Sequence, residues 1–115
     1  MKYLFLIADD PTSPSTDPAA TTQEYVKFTE GIVASGEMAG GERLHGPESA
    51  TSIRVRNGRT VATDGPFAET KEQLGGYYVV DVADLDRALE LAAQIPGARH
   101  GVVEVRPIWE MNGAS

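Results

Sequence analysis

The side chains best suited to chemistry in this sequence lie in segments that contain glycine. Asp64 opens the run Asp-Gly-Pro-Phe, and the two histidines, His45 and His100, occur in RLHGP and ARHG. A carboxylate that reaches an imidazole orients the ring and raises its pKa, which produces a base that works near neutral pH. We therefore predict Asp64, His45 and His100 as candidate catalytic residues for proton transfer.

Four further residues are candidate substrate-binding groups around the same loop. An arginine holds a carboxylate with two hydrogen bonds, and aromatic rings give a pocket apolar walls. The plainer alternatives stay open: Asp64 before Gly-Pro suits an ordinary turn, the histidines suit solvated loops, and the arginine suits an exposed surface. The predicted binding residues are Arg43, Phe67, Tyr77 and Lys71.

Composition excludes several classes of function. A net charge of -7 and the lack of a basic stripe disfavour nucleic acid and anionic membranes as partners. The chain has no cysteine, which fits a reducing cytoplasm, and no stretch approaches the ~20 apolar residues that span a bilayer. Phosphate-binding, dinucleotide-binding and metal-ligand motifs are missing, so we expect neither a cofactor nor a metal.

The first half of the chain predicts a central strand, a helix and a hairpin. Lys2 to Ala8 is apolar on both faces, and a helix whose start is marked by the capping-box pair Thr21 and Glu24 should end near Gly36. EMAGGERL is either a short strand or a loop. TSIRVRNGRTVAT alternates around Asn57-Gly58, which predicts a β-hairpin with a solvated face that carries arginines.

The second half predicts strand, helix, strand. Lys71 to Leu74 has the capping signal of one helical turn, and Tyr77 to Val82 follows as a strand that is apolar on both faces except for an aspartate. Asp84 caps a second helix, and Val102 to Ile108 is the last strand. The buried stripe of that helix is predicted as Leu85, Ala88, Leu89, Ala92 and Ile95.

This order predicts an α+β fold of the ferredoxin-like (dimeric α/β-barrel) type. An antiparallel sheet would carry both helices on one face, with the hairpin inserted, in a single domain over residues 1–115 whose residues 109–115 form a tail. Two helices cover only one face of such a sheet, yet two of its strands are apolar on both. We therefore predict a homodimer packed sheet against sheet.

The run TDGPFAETKE resembles the signature of the DGPF proteins in the YCII-related superfamily. The similarity extends through MKYLFLI, SGEMAGGERL, TSIRVRNG and GYYVVDVADLDRALELAAQIPGARHGVVEVRP. It implies a ferredoxin-like dimer and genes that often lie beside extracytoplasmic-function sigma factors. Some relatives are thought to use a His and Asp pair, and one branch resembles muconolactone-processing enzymes; here the first helix contains no histidine.

Three functions follow as hypotheses. The first is a small-molecule-binding or regulatory dimer with a cleft around the Asp-Gly-Pro-Phe loop. The second is a cofactor-free isomerase or lyase that acts on a small organic acid with Asp64 as acid and base. The third is a protein-interaction module that associates with a sigma factor through its acidic surface.

Overall fold

Six strands and three α-helices occur in the residues that the computed structural model describes, 1–68 and 70–111. The predicted tail therefore lies partly outside the described residues, as does Glu69. In chain order the elements are β1 Lys2–Asp9, α1 Pro18–Ala34, β2 Met38–Arg43, β3 Thr51–Arg56, β4 Arg59–Asp64, β5 Gln73–Asp81, α2 Leu85–Gln94, α3 Gly97–His100 and β6 Gly101–Pro107.

The main sheet has four antiparallel strands in the order β2-β5-β1-β6. With β3 and β4 set aside as an inserted hairpin, this is the strand order of the ferredoxin-like fold, so the predicted fold class is confirmed. β1 lies between β5 and β6, which explains why its sequence is apolar on both faces.

The core fills the space between one face of this sheet and the helices. Alternation along β1 turns Tyr3, Phe5 and Ile7 toward the helices, where each is at most 5% exposed. From α1, the Phe28 ring meets the Tyr78 ring edge-on with centroids 5.2 Å apart. No helix formed by residues 1–68 and 70–111 lies on the opposite face of the sheet, and side chains such as Leu4 and Leu6 remain half-buried there.

Capping hydrogen bonds correct the predicted start of the first helix and confirm that of the second. Helix α1 begins one turn earlier than Thr21, because the Asp17 carboxylate accepts a hydrogen bond from the Ala20 amide at 3.1 Å and Pro18 occupies the first turn. The end near Gly36 is confirmed. Helix α2 begins after Asp84 as predicted, since the Asp84 side chain accepts from the Arg87 amide at 2.9 Å.

Two further expectations were wrong. The segment from Lys71 to Leu74 forms no helical turn, because β5 already begins at Gln73 and pairs with the end of β1. In α2 the buried stripe includes Leu91, whereas Leu85 and Leu89 are 47% and 48% exposed. The buried face of α2 is therefore rotated toward Leu91, while Ala88, Ala92 and Ile95 are buried as predicted.

The uncertain segment EMAGGERL is a strand, β2, at the edge of the main sheet. The hairpin is confirmed as well: Asn57 and Gly58 both have positive φ, 52° and 74°, as a tight two-residue turn requires. No helix in the described ranges combines the length and the apolar character needed to cross a bilayer.

Candidate functional site

A cavity of about 620 Å³ lies on the helix-covered side of the sheet. Its floor is the last residues of β1 together with parts of β2 and β5, one wall is α1, and the loop after β1 forms the rim. The side chains from these elements that carry the argument are Ile7, Asp9, Tyr25, Arg43, Tyr78 and His100.

Asp9 reaches the cavity because of where β1 ends. It has the same parity in the strand as Phe5 and Ile7, so its carboxylate points to the helix side, just beyond the apolar core. There the ladder between β1 and β5 is irregular, since Ile7 pairs with Gly76 but Ala8 pairs with Leu74. A β-bulge of this kind re-aims neighbouring side chains and often lies next to functional sites.

Two glycines make room for the Asp9 carboxylate and the Tyr25 hydroxyl. A Cβ atom at Gly75 would lie 2.5 Å from Asp9 Oδ2. A Cβ atom at Gly97 would lie 2.8 Å from the Tyr25 hydroxyl oxygen and 3.8 Å from Asp9 Oδ1. The carboxylate is thus held between two backbone segments that come close only because they have no side chain.

The environment of the cavity shifts the pKa values of both acids. Burial raises the pKa of Asp9, and the positive charges of Arg43 and His100 offset this only in part. Burial also raises the pKa of Tyr25, with a further contribution from the negative charge of Asp9. A carboxylate with a raised pKa is a stronger base, and Tyr25 stays a hydrogen-bond donor at neutral pH.

Arg43 and His100 are close enough to Asp9 to affect its pKa, but they form no salt bridge with it. No ion pair within the described part of the chain involves Asp9, Arg43 or His100. In contrast, the Tyr78 hydroxyl is engaged, since it shares a hydrogen bond of 2.8 Å with Thr29. The Asp9 carboxylate, the Arg43 guanidinium and the His100 imidazole therefore remain available to a ligand.

Three of the seven predicted site residues line this cavity: Arg43, Tyr77 and His100. Arg43 is the last residue of β2 and His100 the last residue of α3, so the sheet edge and the short helix bring them to the same opening. They are 57 positions apart in the chain, and only the fold brings them together. Tyr77 joins them from β5 as a lining residue, but it pairs with Leu6, so strand alternation turns its ring toward the sheet face opposite the helices.

The other four predicted residues do not line the cavity. Asp64 is the exposed last residue of β4, opposite Thr51, and His45 is exposed in the loop after β2. Phe67, a predicted substrate-binding residue, is 84% exposed. A catalytic role for Asp64 or His45 and a binding role for Phe67 stay predictions.

Lys71 contributes to the cavity indirectly. Its ammonium group lies 3.3 Å from Asp10 Oδ2, and Asp10 belongs to the rim of the cavity. The Asp10 side chain also accepts hydrogen bonds from the amide and the hydroxyl of Thr12, and these bonds together with Lys71 lower its pKa. The segment after Asp-Gly-Pro-Phe is thereby linked to the loop that follows β1.

Sequence reasoning missed Asp9 and Tyr25. Tyr25 lies on α1, and Asp9 is the last residue of β1, one residue beyond the predicted end of that strand at Ala8. A signal for Asp9 existed, because it continues the helix-facing parity of Tyr3, Phe5 and Ile7. A carboxylate at that parity, directly after three core residues, predicts an acid at the border of the core.

No group of three or more histidine and carboxylate side chains in residues 1–68 and 70–111 is arranged to hold a metal ion. The side chains that line the cavity support proton transfer and the binding of a polar small molecule. Its carboxylate accepts protons, its phenol donates a hydrogen bond, and its guanidinium binds anionic oxygen atoms.

Comparisons with known proteins agree with this fold. The YCII-related domain family matches residues 1–112. An uncharacterised protein of Rhizobium meliloti (strain 1021) is 39% identical over 94 residues, which cover 80% of this chain and 70% of the relative. A similar solved structure is 5-chloro-2-hydroxyhydroquinone dehydrochlorinase from Burkholderia phenoliruptrix AC1100 in complex with 2,5-dihydroxybenzoquinone, with a TM-score of 0.54, 13% identity and 97% of each chain covered. At that identity the likeness concerns the fold alone.

Proposed function

We propose that this chain, which belongs to the YCII-related domain family, binds a small organic molecule in the cavity beside Asp9. The observation that carries the proposal is the convergence of Asp9, Arg43 and His100 on one cavity without ion pairs among them. Asp9 and Arg43 are exposed and His100 is partly exposed, so a ligand that enters the cavity can reach all three groups.

The chemistry of the lining narrows the class of ligand. Arg43 suits a carboxylate or another anionic oxygen, and Asp9 suits a hydroxyl group that donates a hydrogen bond. Ile7, Met38 and Tyr78 offer apolar surface to a ring. The volume of about 620 Å³ lies within the usual range for small-molecule sites, so a hydroxylated ring with one anionic group fits the cavity.

Ligand-induced thermal stabilisation tests this proposal. The probes are a panel of hydroxybenzoates together with 2,5-dihydroxybenzoquinone, the molecule bound to the dehydrochlorinase. A ligand present at about 100 times its dissociation constant stabilises the folded state by about 2.7 kcal/mol. We expect a rise in melting temperature that is lost in Asp9→Asn and in Arg43→Gln.

Asp64→Asn is the matched control, because it makes the same change outside the cavity. Retention of the thermal shift in this variant, with loss in Asp9→Asn, supports the cavity beside Asp9. The reverse pattern would place the ligand at the Asp-Gly-Pro-Phe loop instead. The absence of any shift across the panel would count against this class of ligand.

A second candidate function is a cofactor-free isomerase or lyase. It is favoured by the raised pKa of Asp9 and by the Tyr25 hydroxyl beside it, which make a base and a hydrogen-bond donor. Asp9 would remove a proton from a carbon next to a carbonyl group, and Tyr25 would stabilise the enolate oxygen. Return of that proton to a different atom of the substrate completes an isomerisation without an oxidant.

Solvent isotope exchange distinguishes the enzyme from a binding protein. In D₂O, an enzyme of this kind replaces the acidic C–H of a bound hydroxy-keto acid by C–D, which proton NMR follows directly. We expect exchange to be slowed by about 10²- to 10⁴-fold in Asp9→Asn, because this variant lacks the general base. Binding without exchange would leave the binding function and remove the enzymatic one.

The homodimer predicted from the sequence remains part of the proposal. Its support is the sheet face that carries no helix, where Leu4, Leu6 and Val79 are half-buried and Val102 is 46% exposed. Isologous packing of two such faces would remove this apolar surface from water. Sedimentation at micromolar concentration measures the association directly.

A further inference from the structure

The hairpin of β3 and β4 is set apart from the rest of the fold. It forms a two-stranded sheet of its own, and its strands pack chiefly on each other. The chain consequently has a radius of gyration of 16.1 Å, whereas a compact domain of this length has about 13 Å. An isolated two-stranded hairpin is marginally stable in water, so this one needs a surface to lie on.

One face of the hairpin is apolar and uncovered. Ile53 and Val55 lie on it with the opposing Ala62, and the first two are 58% and 61% exposed. β-Branched side chains in this position stabilise a strand by packing against a neighbouring layer. Within the described residues of the chain, that layer is missing.

The other face of the hairpin is basic. Arg54, Arg56 and Arg59 lie on it, and they are three of the ten lysine and arginine residues in the chain. The hairpin has one acidic residue, Asp64 at the end of β4, although the chain as a whole has 17. The hairpin is thus a positive projection on a protein whose net charge is -7.

We propose that the hairpin is an arm that docks onto a second copy of this chain. Ile53 and Val55 would pack against the partner subunit, and the arginines would interact with its acidic surface. A second copy fits because the charge opposite to the arm predominates on the rest of this same chain. A twofold axis makes each subunit both donor and acceptor of an arm, so every favourable contact is made twice.

This inference rests on the proposed homodimer and adds a contact that the sheet face does not include. Sedimentation of the double variant Ile53→Ser/Val55→Ser tests it. The matched control is Val26→Ser/Val33→Ser, which removes two exposed apolar side chains from α1 instead. We expect the dimer dissociation constant to rise by at least about tenfold for the hairpin variant and to stay within about twofold for the control.

Charge reversal tests the arginine face. Arg56→Glu and Lys27→Glu change the net charge equally, but Lys27 is an exposed residue of α1. We expect the hairpin variant to weaken the dimer by about tenfold and the control to leave it nearly unchanged. Equal effects in the two variants would overturn the role of the arginines.

Hydrogen exchange in the unmodified protein covers the case in which a variant misfolds. We expect the amides of β3 and β4 to exchange more slowly at concentrations that favour the dimer than after dilution. A dimer in which hairpin exchange is independent of concentration would overturn the arm and leave the sheet-face dimer intact. A chain that stays monomeric would overturn both, while the ligand-binding proposal would still stand.

Discussion

Replacing Gly75 by alanine should move one carboxylate without disturbing the fold. The added Cβ would come within 2.5 Å of Asp9 Oδ2 and 3.6 Å of Asp9 Cγ, and the nearest backbone atom, the Ile7 carbonyl oxygen, is 3.9 Å away. The obstacle is therefore the end of a side chain that can rotate, at a cost of about 0.5 to 1.5 kcal/mol. Alanine restricts the unfolded chain more than glycine does, which stabilises the folded state by about 0.4 to 1 kcal/mol. This gain applies at Gly75 because its φ is not positive.

The two contributions nearly cancel, so the free energy of unfolding should stay within about 1 kcal/mol of the wild type, or within about 4 to 8 °C in melting temperature. The informative quantity is the pKa of Asp9, measured by carbon-detected NMR titration of its carboxyl group. Burial holds that pKa above its ordinary 3.8. In Gly75→Ala we expect it to fall toward 3.8, because the displaced carboxylate reaches water.

Gly76→Ala is the control for this experiment. Its Cβ would lie 3.0 Å from the Glu42 carbonyl oxygen of β2, so it strains the sheet and leaves Asp9 in place. We expect lower stability with an unchanged Asp9 pKa. An intact Gly75→Ala protein whose Asp9 pKa equals that of the wild type would refute the position assigned to the carboxylate, and unfolding of Gly75→Ala would refute the packing argument.

Three other perturbations have definite expected outcomes. Gly101→Ala would put a Cβ 2.1 Å from the Ala8 carbonyl oxygen, a backbone atom that cannot rotate away, so urea unfolding should show a loss of at least about 2 kcal/mol. Arg87 donates two hydrogen bonds of 2.9 Å to the Glu37 carboxylate and lowers the pKa of Glu37 from 4.5 to about 2. The stabilisation that this pair gives the folded state is present above pH 4.5 and is lost as the pH falls through about 2. Glu37→Gln should therefore cost about 1 kcal/mol at neutral pH, the modest value of a partly exposed pair, and nothing below pH 2. The pH dependence that Asp9 gives to the free energy of unfolding has the opposite sign, because folding favours the protonated form of Asp9. The free energy of unfolding should fall as the pH rises above 3.8, and urea unfolding of Asp9→Asn should show that this dependence is lost.

The fold was predictable because its signals are local. The apolar run of β1, the Asn57-Gly58 turn and the Asp84 cap each act within a few residues, and together they define the order of elements. The errors occurred where local signals competed. Thr70 followed by Gln73 has capping-box spacing, yet pairing of Gln73 with Asp9 across the sheet outweighs a single helical turn.

The site was less predictable because it depends on contacts between distant segments. Arg43 and His100 were named from their residue types, and the fold brings both to the cavity. Asp9 owes its place to a bulge at Gly75 and to the close approach of Gly97. Neither the bulge nor that approach has a signature in a single sequence, since both glycines are equally compatible with an ordinary strand or loop.

The prominent Asp-Gly-Pro-Phe segment and the cavity are connected by one contact. Lys71, four residues after Phe67, pairs with Asp10, and Asp10 directly follows the carboxylate that the cavity is built around. The pair is largely solvent-exposed at Lys71, so it contributes little to stability. The pair connects the first residue of the loop between β1 and α1 to the segment that leads into β5, the strand that supplies Gly75. A segment outside the cavity can in this way influence the rim of the site without contacting a ligand.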